Sequence, residues 1–167
     1  ATTLMVILRT GDHIVASSSL YGGTYNLLAN TLPRFGITTT FVDPDNPNEF
    51  TKAVKSNTRV FFAESLGNPK LDVIDLKSIS DASKKAKVPF IVDNTVASPA
   101  LLNPIEHGAN IVIHSLTKYL TGNGTSIGGV IIDAGTFDWA NGNFPEFTEP
   151  NPSYHGLNYH EALGNIA

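Results

Sequence analysis

Six short runs of apolar or β-branched residues, at 13–16, 38–42, 59–63, 90–92, 111–113 and 129–132, recur along this chain with helix-like segments between most of them. A strand that is apolar at consecutive positions must be buried on both faces, and a parallel sheet with helices on each side achieves that. The expected fold is therefore α/β, with a mostly parallel, doubly wound sheet. The punctuation agrees. Residues 2–9 read as an amphipathic helix stopping before Gly11, and residues 24–35 as a second helix ended by Gly36. Asn46-Pro47 opens a third with a capping residue and a proline at the first helical position, and Asp75 caps a fourth that reaches Lys87. Past Asp133 the periodicity fades, and Asn, Pro, Gly and aromatic residues dominate from Gly142 to Asn158. The chain thus reads as a domain core over 1–141 and an irregular connecting segment over 142–167.

In open sheets of this class, ligands sit beyond the carboxyl ends of the strands, so the residues following each run are the candidates for chemistry. After Ile111-Val112-Ile113 comes His114-Ser115-Leu116-Thr117-Lys118-Tyr119, which puts two hydroxyls and an amine on one short turn. Such an amine can join covalently to an aldehyde cofactor while the hydroxyls hold its phosphate. Asp93 ends the run Val88-Pro89-Phe90-Ile91-Val92-Asp93, and Tyr21 stands in Ser17-Ser18-Ser19-Leu20-Tyr21-Gly22-Gly23 after the first strand. The tyrosine ring suits the face of a flat heterocycle. Taken singly, Lys118 reads as a solvated lysine, Asp93 as a helix cap and Tyr21 as a loop residue. Their joint placement at strand ends argues for a site.

Other patterns are weaker. Gly124-Thr125-Ser126-Ile127-Gly128 matches the G-x-S-x-G pattern of serine hydrolases, but a polar loop precedes it and a strand-like run follows, the reverse of the required context. The histidines, His13, His107, His114, His155 and His160, show no H-E-x-x-H spacing, so no metal site is expected, and His114 reads as a hydrogen-bonded core residue. Gly122-Asn123-Gly124 lacks the preceding strand of a dinucleotide loop. Lys84, Lys85 and Lys87 suit the negative pole of a helix end and read as a solvated terminus. A net charge of −4 argues against sequence-independent nucleic-acid binding. With no cysteine, disulfides and thiolate chemistry are excluded, which fits a reducing compartment. The apolar patch at 1–9 is too short to span a membrane and has no basic segment before it, so a cytoplasmic location is expected.

Four segments, Ser19-Leu20-Tyr21-Gly22-Gly23-Thr24, Glu64-Ser65-Leu66-Gly67-Asn68-Pro69, Val92-Asp93-Asn94-Thr95 and His114-Ser115-Leu116-Thr117-Lys118-Tyr119, carry a family resemblance. In order and approximate spacing the chain resembles the cysteine and methionine metabolism family of fold-type I pyridoxal-phosphate enzymes along almost its whole length. Gly124-Thr125-Ser126-Ile127-Gly128-Gly129-Val130 and Phe144-Pro145-Glu146-Phe147-Thr148-Glu149-Pro150, with Ser153-Tyr154-His155-Gly156-Leu157, look most like the O-acetylhomoserine sulfhydrylase branch.

The resemblance implies an aspartate aminotransferase-like large domain and pyridoxal 5'-phosphate as cofactor. It implies that Lys118 forms the Schiff base and shuttles protons, that Asp93 keeps the pyridine nitrogen protonated, and that Ser115 and Thr117 bond the phosphate. Asn68 would bond the phenolic oxygen, and Tyr21 would stack on the ring and exchange a proton with the leaving group. The implied reaction replaces the acetate of O-acetylhomoserine with sulfide to give homocysteine, in a homo-oligomer built as a dimer of dimers. Related branches synthesise cystathionine or carry out elimination on the same apparatus, and a noncatalytic assembly module is the alternative of another class. Family members also carry parts before Ala1 and after Ala167, so the chain is expected to be incomplete at both ends, inactive in isolation, and to have 129–132 as an unpaired edge. Where the family usually has an acidic residue, a histidine and an aromatic, this chain has Asn110, Asn123 and Val96. Those departures are expected to alter packing and not cofactor contacts.

Overall fold

All six runs become strands of one sheet, the first five contributing side chains alternately to two apolar layers and β6 adding Ile132 to one of them. The computed structural model describes residues 1–164, so the last three residues of the segment 142–167 lie outside the described residues. Strands β1 (His13–Ser17), β2 (Thr38–Val42), β3 (Thr58–Glu64), β4 (Phe90–Asp93), β5 (Ile111–Ser115) and β6 (Gly129–Asp133) lie in the order β2-β1-β3-β4-β5-β6. The first five run parallel, and β6 pairs antiparallel with β5. Between those two the chain has only the kinked turn Leu116–Leu120 and an exposed loop, so no helix crosses the sheet face to bring β6 in parallel.

One layer takes Ile14, Ala16, Val60, Phe62, Ile91 and Ile111 from the sheet, the other Val15, Phe61, Ala63, Phe90, Val92 and Val112. Helix α1 (Thr2–Ile7) and helix α2 (Gly22–Asn26), which runs on through a π turn and a 3-10 turn to Phe35, cover the first layer with Leu4, Ile7, Leu28 and Leu32. Helices α3 (Asn48–Lys52) and α4 (Leu76–Ala86) cover the second with Phe50, Leu76, Ile79 and Ala82. Gly36 adopts φ +76°, the left-handed stop expected after that helix. No helix among the described residues is long and apolar enough to cross a membrane.

Several boundaries move for local reasons. The third helix starts at Asn48, with Pro47 in the capping position and no side-chain cap. The turn before it is closed instead by Asp43, whose carboxylate accepts the Asp45 N–H at 3.0 Å, while Glu49 of the helix reaches back to the Asp43 N–H at 3.2 Å. Asp75 does cap α4, accepting from Ser78 N–H at 3.0 Å, but the helix stops at Ala86 because Lys87 turns left-handed with φ +56°. The Lys87 carbonyl then accepts from the side-chain amides of Asn141 and Asn143, so this helix end is docked and not merely solvated.

The largest surprise lies past Asp133. Phe137, Trp139, Phe144 and Phe147 are buried and join the first apolar layer, with Trp139 only 1% exposed. Their rings meet edge-on or tilted, with Trp139 centroids 4.7 Å from Phe137, 5.1 Å from Phe144 and 4.7 Å from Phe147. Short helices α6 (Pro145–Thr148) and α7 (Tyr159–Leu163) follow within the stretch read as irregular, and α5 (Ser98–Leu101) precedes β5. Asn110 ties this segment to the sheet: it accepts from Phe90 N–H at 2.9 Å and donates to the Thr136 hydroxyl at 3.2 Å. An ionised acidic side chain could accept but not donate there.

The chain steps from β1 outward to β2 and then returns past β1 to β3, so the strand order reverses beside β1. Crevices beyond the carboxyl ends at such reversals are the ligand positions of this architecture.

Candidate active site

Four strand ends feed one crevice. Ser17 closes β1 with a hydroxyl turn, its Oγ accepting the Ser19 N–H at 3.0 Å, and this aims the chain so that Tyr21 begins α2 at the sheet's carboxyl edge. After β3, the loop carrying Asn68 folds back on itself, Gly67 N–H bonding the Asp72 carbonyl at 2.9 Å. The Ser19 hydroxyl donates to the Asp72 carboxylate at 2.6 Å, joining the two loops. A methyl at Gly67 would collide with both of those side chains, so the close approach requires glycine.

Asp93 ends β4 half-buried, and its orientation is set by Thr95, whose hydroxyl and main-chain N–H both donate to the same carboxylate oxygen at 2.6 and 3.0 Å. Thr95 Oγ1 in turn accepts the Ser115 N–H at 2.8 Å, so β5 is tied to the aspartate through one hydroxyl. Beneath them, buried Asn94 accepts from the Ser65 hydroxyl at 2.7 Å and donates to the Leu102 carbonyl at 2.8 Å. Lys118 follows β5 at the break of the kinked turn, with φ −92° and ψ −116°, and is exposed. Thr117 is braced against the strand that follows, its hydroxyl accepting the Gly128 N–H at 3.1 Å and donating to the Gly128 carbonyl at 3.3 Å.

These elements enclose a cavity of about 450 Å³. Lys118, Asp93, Ser115, Thr117, Tyr21 and Asn68 all line it, so the six residues singled out from sequence are brought together. The donor set comprises an amine, a carboxylate, two hydroxyls, an amide and an aromatic face. That inventory fits a planar, cationic, phosphorylated aldehyde such as pyridoxal phosphate: carboxylate for the ring nitrogen, hydroxyls for the phosphate, amine for the carbonyl.

Sequence reasoning missed Glu64 and Thr95. Glu64 ends β3 as Asp93 ends β4, so the same strand-end argument applied to it would have found it. It is 5% exposed, lines the cavity, and accepts the Tyr21 N–H at 2.8 Å. Burial above all pushes its carboxyl up to about 7; the Tyr21 N–H opposes this, and the nearby Asp93 and Asp72 charges add to it. Thr95 was legible as the residue two past an aspartate, the spacing of a side-chain turn. Val96 lines the cavity wall as well, so the packing altered by the missing aromatic lies at the site itself. His114 is buried at 6% exposure as expected, but its Nδ1 finds no hydrogen-bond partner among the described residues. Ser126 sits in an exposed loop between a kinked turn and a strand, which is not the setting of a hydrolase nucleophile.

A family model described as Cys/Met metabolism PLP-dependent enzyme matches residues 1–151. The chain is 58% identical over 163 residues to an O-acetyl-L-homoserine sulfhydrylase of Leptospira meyeri, covering 98% of this chain and 37% of that protein. It is 50% identical to a homocysteine synthase of Schizosaccharomyces pombe, covering 98% of this chain and 39% of the relative. Among solved structures, one described as an O-acetylhomoserine (thiol)-lyase from Campylobacter jejuni, holding N'-pyridoxyl-lysine-5'-monophosphate, superposes with a TM-score of 0.91 at 39% identity. That match covers 95% of this chain and 40% of that one. The chain therefore spans about two fifths of the length of these relatives.

Proposed function

The chain belongs to the Cys/Met metabolism family of PLP-dependent enzymes, and on that premise we propose that it carries the cofactor-binding centre of an O-acetylhomoserine sulfhydrylase. One observation supports the reading above the rest: Lys118 and Asp93, separated in sequence and supplied by different strands, line one cavity together with Ser115, Thr117, Asn68 and Tyr21.

Pyridoxal phosphate, when bound, supplies an electron sink for charge developing on the amino-acid carbons. The chain's own residues do the rest. Lys118 would hold the cofactor through its amine, and that amine is placed to carry protons to and from the substrate's Cα and Cβ. Asp93, oriented by Thr95, keeps a proton on the ring nitrogen, because an adjacent anion favours the cationic ring. Ser115 donates its hydroxyl to the phosphate, and Thr117 does so by turning its proton away from the Gly128 carbonyl. Asn68 bonds the phenolic oxygen. Tyr21 covers the ring face and exchanges a proton near the departing group. In the proposed reaction the Cγ–O bond of O-acetylhomoserine breaks, acetate leaves, and sulfide forms the new Cγ–S bond of homocysteine.

Addition of pyridoxal phosphate to the full chain, borohydride reduction and peptide mapping test the site. A label on Lys118 is expected, and a labelled protein without it overturns the assignment. Homocysteine formation from O-acetylhomoserine and sulfide by a full-length protein containing these residues tests the reaction separately.

A further inference from the structure

Tyr21 has little side-chain support of its own. Its side chain is 58% exposed, and it begins α2 in the capping position with no side-chain cap. Two main-chain features hold it instead. The ring lies against Gly23, where a Cβ would come within 2.6 Å of Tyr21 Cε1, so only glycine leaves that surface free. The Tyr21 N–H, which a helix start would leave without a partner, is taken up by Glu64 from the neighbouring strand.

Glu64 is a costly residue to place there. It is buried beside Asp93 and Asp72, and among the described residues no lysine, arginine or histidine forms an ion pair with it. A buried carboxyl without a cation destabilises a fold unless something compensates. The only hydrogen bond its side chain makes among the described residues is the one to Tyr21. An apolar residue would continue β3, whose preceding residues Phe61, Phe62 and Ala63 are all buried.

We propose that Glu64 is a positioning residue whose carboxyl oxygen anchors the main chain of Tyr21 and so holds the tyrosine ring over the cofactor cavity. This rests on the cofactor reading above and adds a residue to it. The Ser19–Asp72 bond at 2.6 Å works from the other side of the turn, so the segment between β1 and α2 is pinned at two points to the end of β3 and the loop after it. The raised carboxyl of Glu64 is the mark of a group kept in place against its solvation preference.

The test uses the full chain and two readouts. In the cofactor-free protein, hydrogen exchange of the Tyr21 amide reports the anchor directly. Glu64→Gln keeps an oxygen acceptor and should exchange like the unaltered protein. Glu64→Ala should speed exchange by about tenfold while the α4 amides stay protected, as expected for loss of one hydrogen bond to a carboxyl. In the second readout, cofactor affinity followed by visible absorbance should fall about tenfold in Glu64→Ala, and Glu64→Ala combined with Tyr21→Ala should be no weaker than Tyr21→Ala alone. Unchanged Tyr21 exchange in Glu64→Ala, or additive affinity losses in the double variant, overturns the proposal. If the unaltered full chain takes up no cofactor, the functional reading fails, and the exchange experiment still decides the anchor.

Discussion

The two ends of the same sheet treat polar groups in opposite ways. At the amino ends of the strands, buried His13 has both ring nitrogens engaged at 2.8 Å, one with the Thr58 hydroxyl and one with Thr40. Asn57 donates to the Gly11 carbonyl at 2.6 Å, Asp12 accepts the Arg9 N–H at 2.7 Å, and Arg59 lies 3.7 Å from Asp12. Asn110, Asn141 and Asn143 bond the aromatic segment to this end. At the carboxyl ends, side-chain bonding is incomplete. Thr95 orients Asp93 and Glu64 holds a backbone N–H, yet Lys118 forms no ion pair among the described residues. A polar group satisfied within the fold stabilises it, whereas one left facing a cavity is available to a ligand.

The largest expected effect would break that contrast if it failed. Lys118→Ala in the full chain should lower turnover by about 10²- to 10⁴-fold, the range for a lost proton-transfer group, and abolish borohydride labelling at that position. His13→Gln should leave both near normal. Next, Trp139→Ala should cost about 3–5 kcal/mol of stability by urea unfolding, because it opens a cavity among Phe137, Phe144 and Phe147, while Lys118 is still labelled in the folded protein.

The two ends should also respond oppositely to pH. Burial first, and the Lys55 charge second, push His13 down from its ordinary 6.5 to about 4. Between those values the unfolded chain binds the extra proton, so stability rises with pH, by up to about 3 kcal/mol. Glu64 is raised from 4.5 to about 7, so there the folded chain binds the extra proton and stability falls as pH rises, by a similar amount of about 3 kcal/mol. The two slopes offset in the protein. Relative to it, Glu64→Gln should gain stability with increasing pH across this window and His13→Gln should lose it, as read from urea midpoints at several pH values. Parallel curves for both variants would remove the opposition. The smallest effect sharpens the comparison: Asp75 also stands beyond a carboxyl strand end, but it serves α4, and the Ser78 hydroxyl and N–H hold it below the usual carboxylate range. Asp75→Ala should cost about 1 kcal/mol in thermal stability and leave labelling of Lys118 untouched.

The strands and the cofactor-facing residues were legible because their signals are local. A run such as Phe90-Ile91-Val92 followed by Asp93 announces both a buried strand and the group at its end, and the same holds for Ile111-Val112-Ile113 before Ser115 and Lys118. The aromatic segment was not legible. Phe137, Trp139, Phe144 and Phe147 are spaced irregularly among Asn, Gly and Pro, so no period reveals that they share a pocket. Glu64 stands at a strand end, within reach of the same local argument as Asp93, but its role was not legible: the bond to Tyr21 and the nearby Asp93 charge come from the ends of other strands.

From sequence alone followed the α/β class, the places where strands end, and the residue types standing there, since hydrophobic period and turn chemistry act over a few neighbouring residues. Only tertiary structure decided that β6 runs antiparallel, that the aromatic segment joins the first apolar layer, and that Glu64 meets Tyr21. Each of these depends on which distant surfaces come into contact. Burial and hydrogen bonding between elements are properties of the packed molecule and not of any stretch of chain.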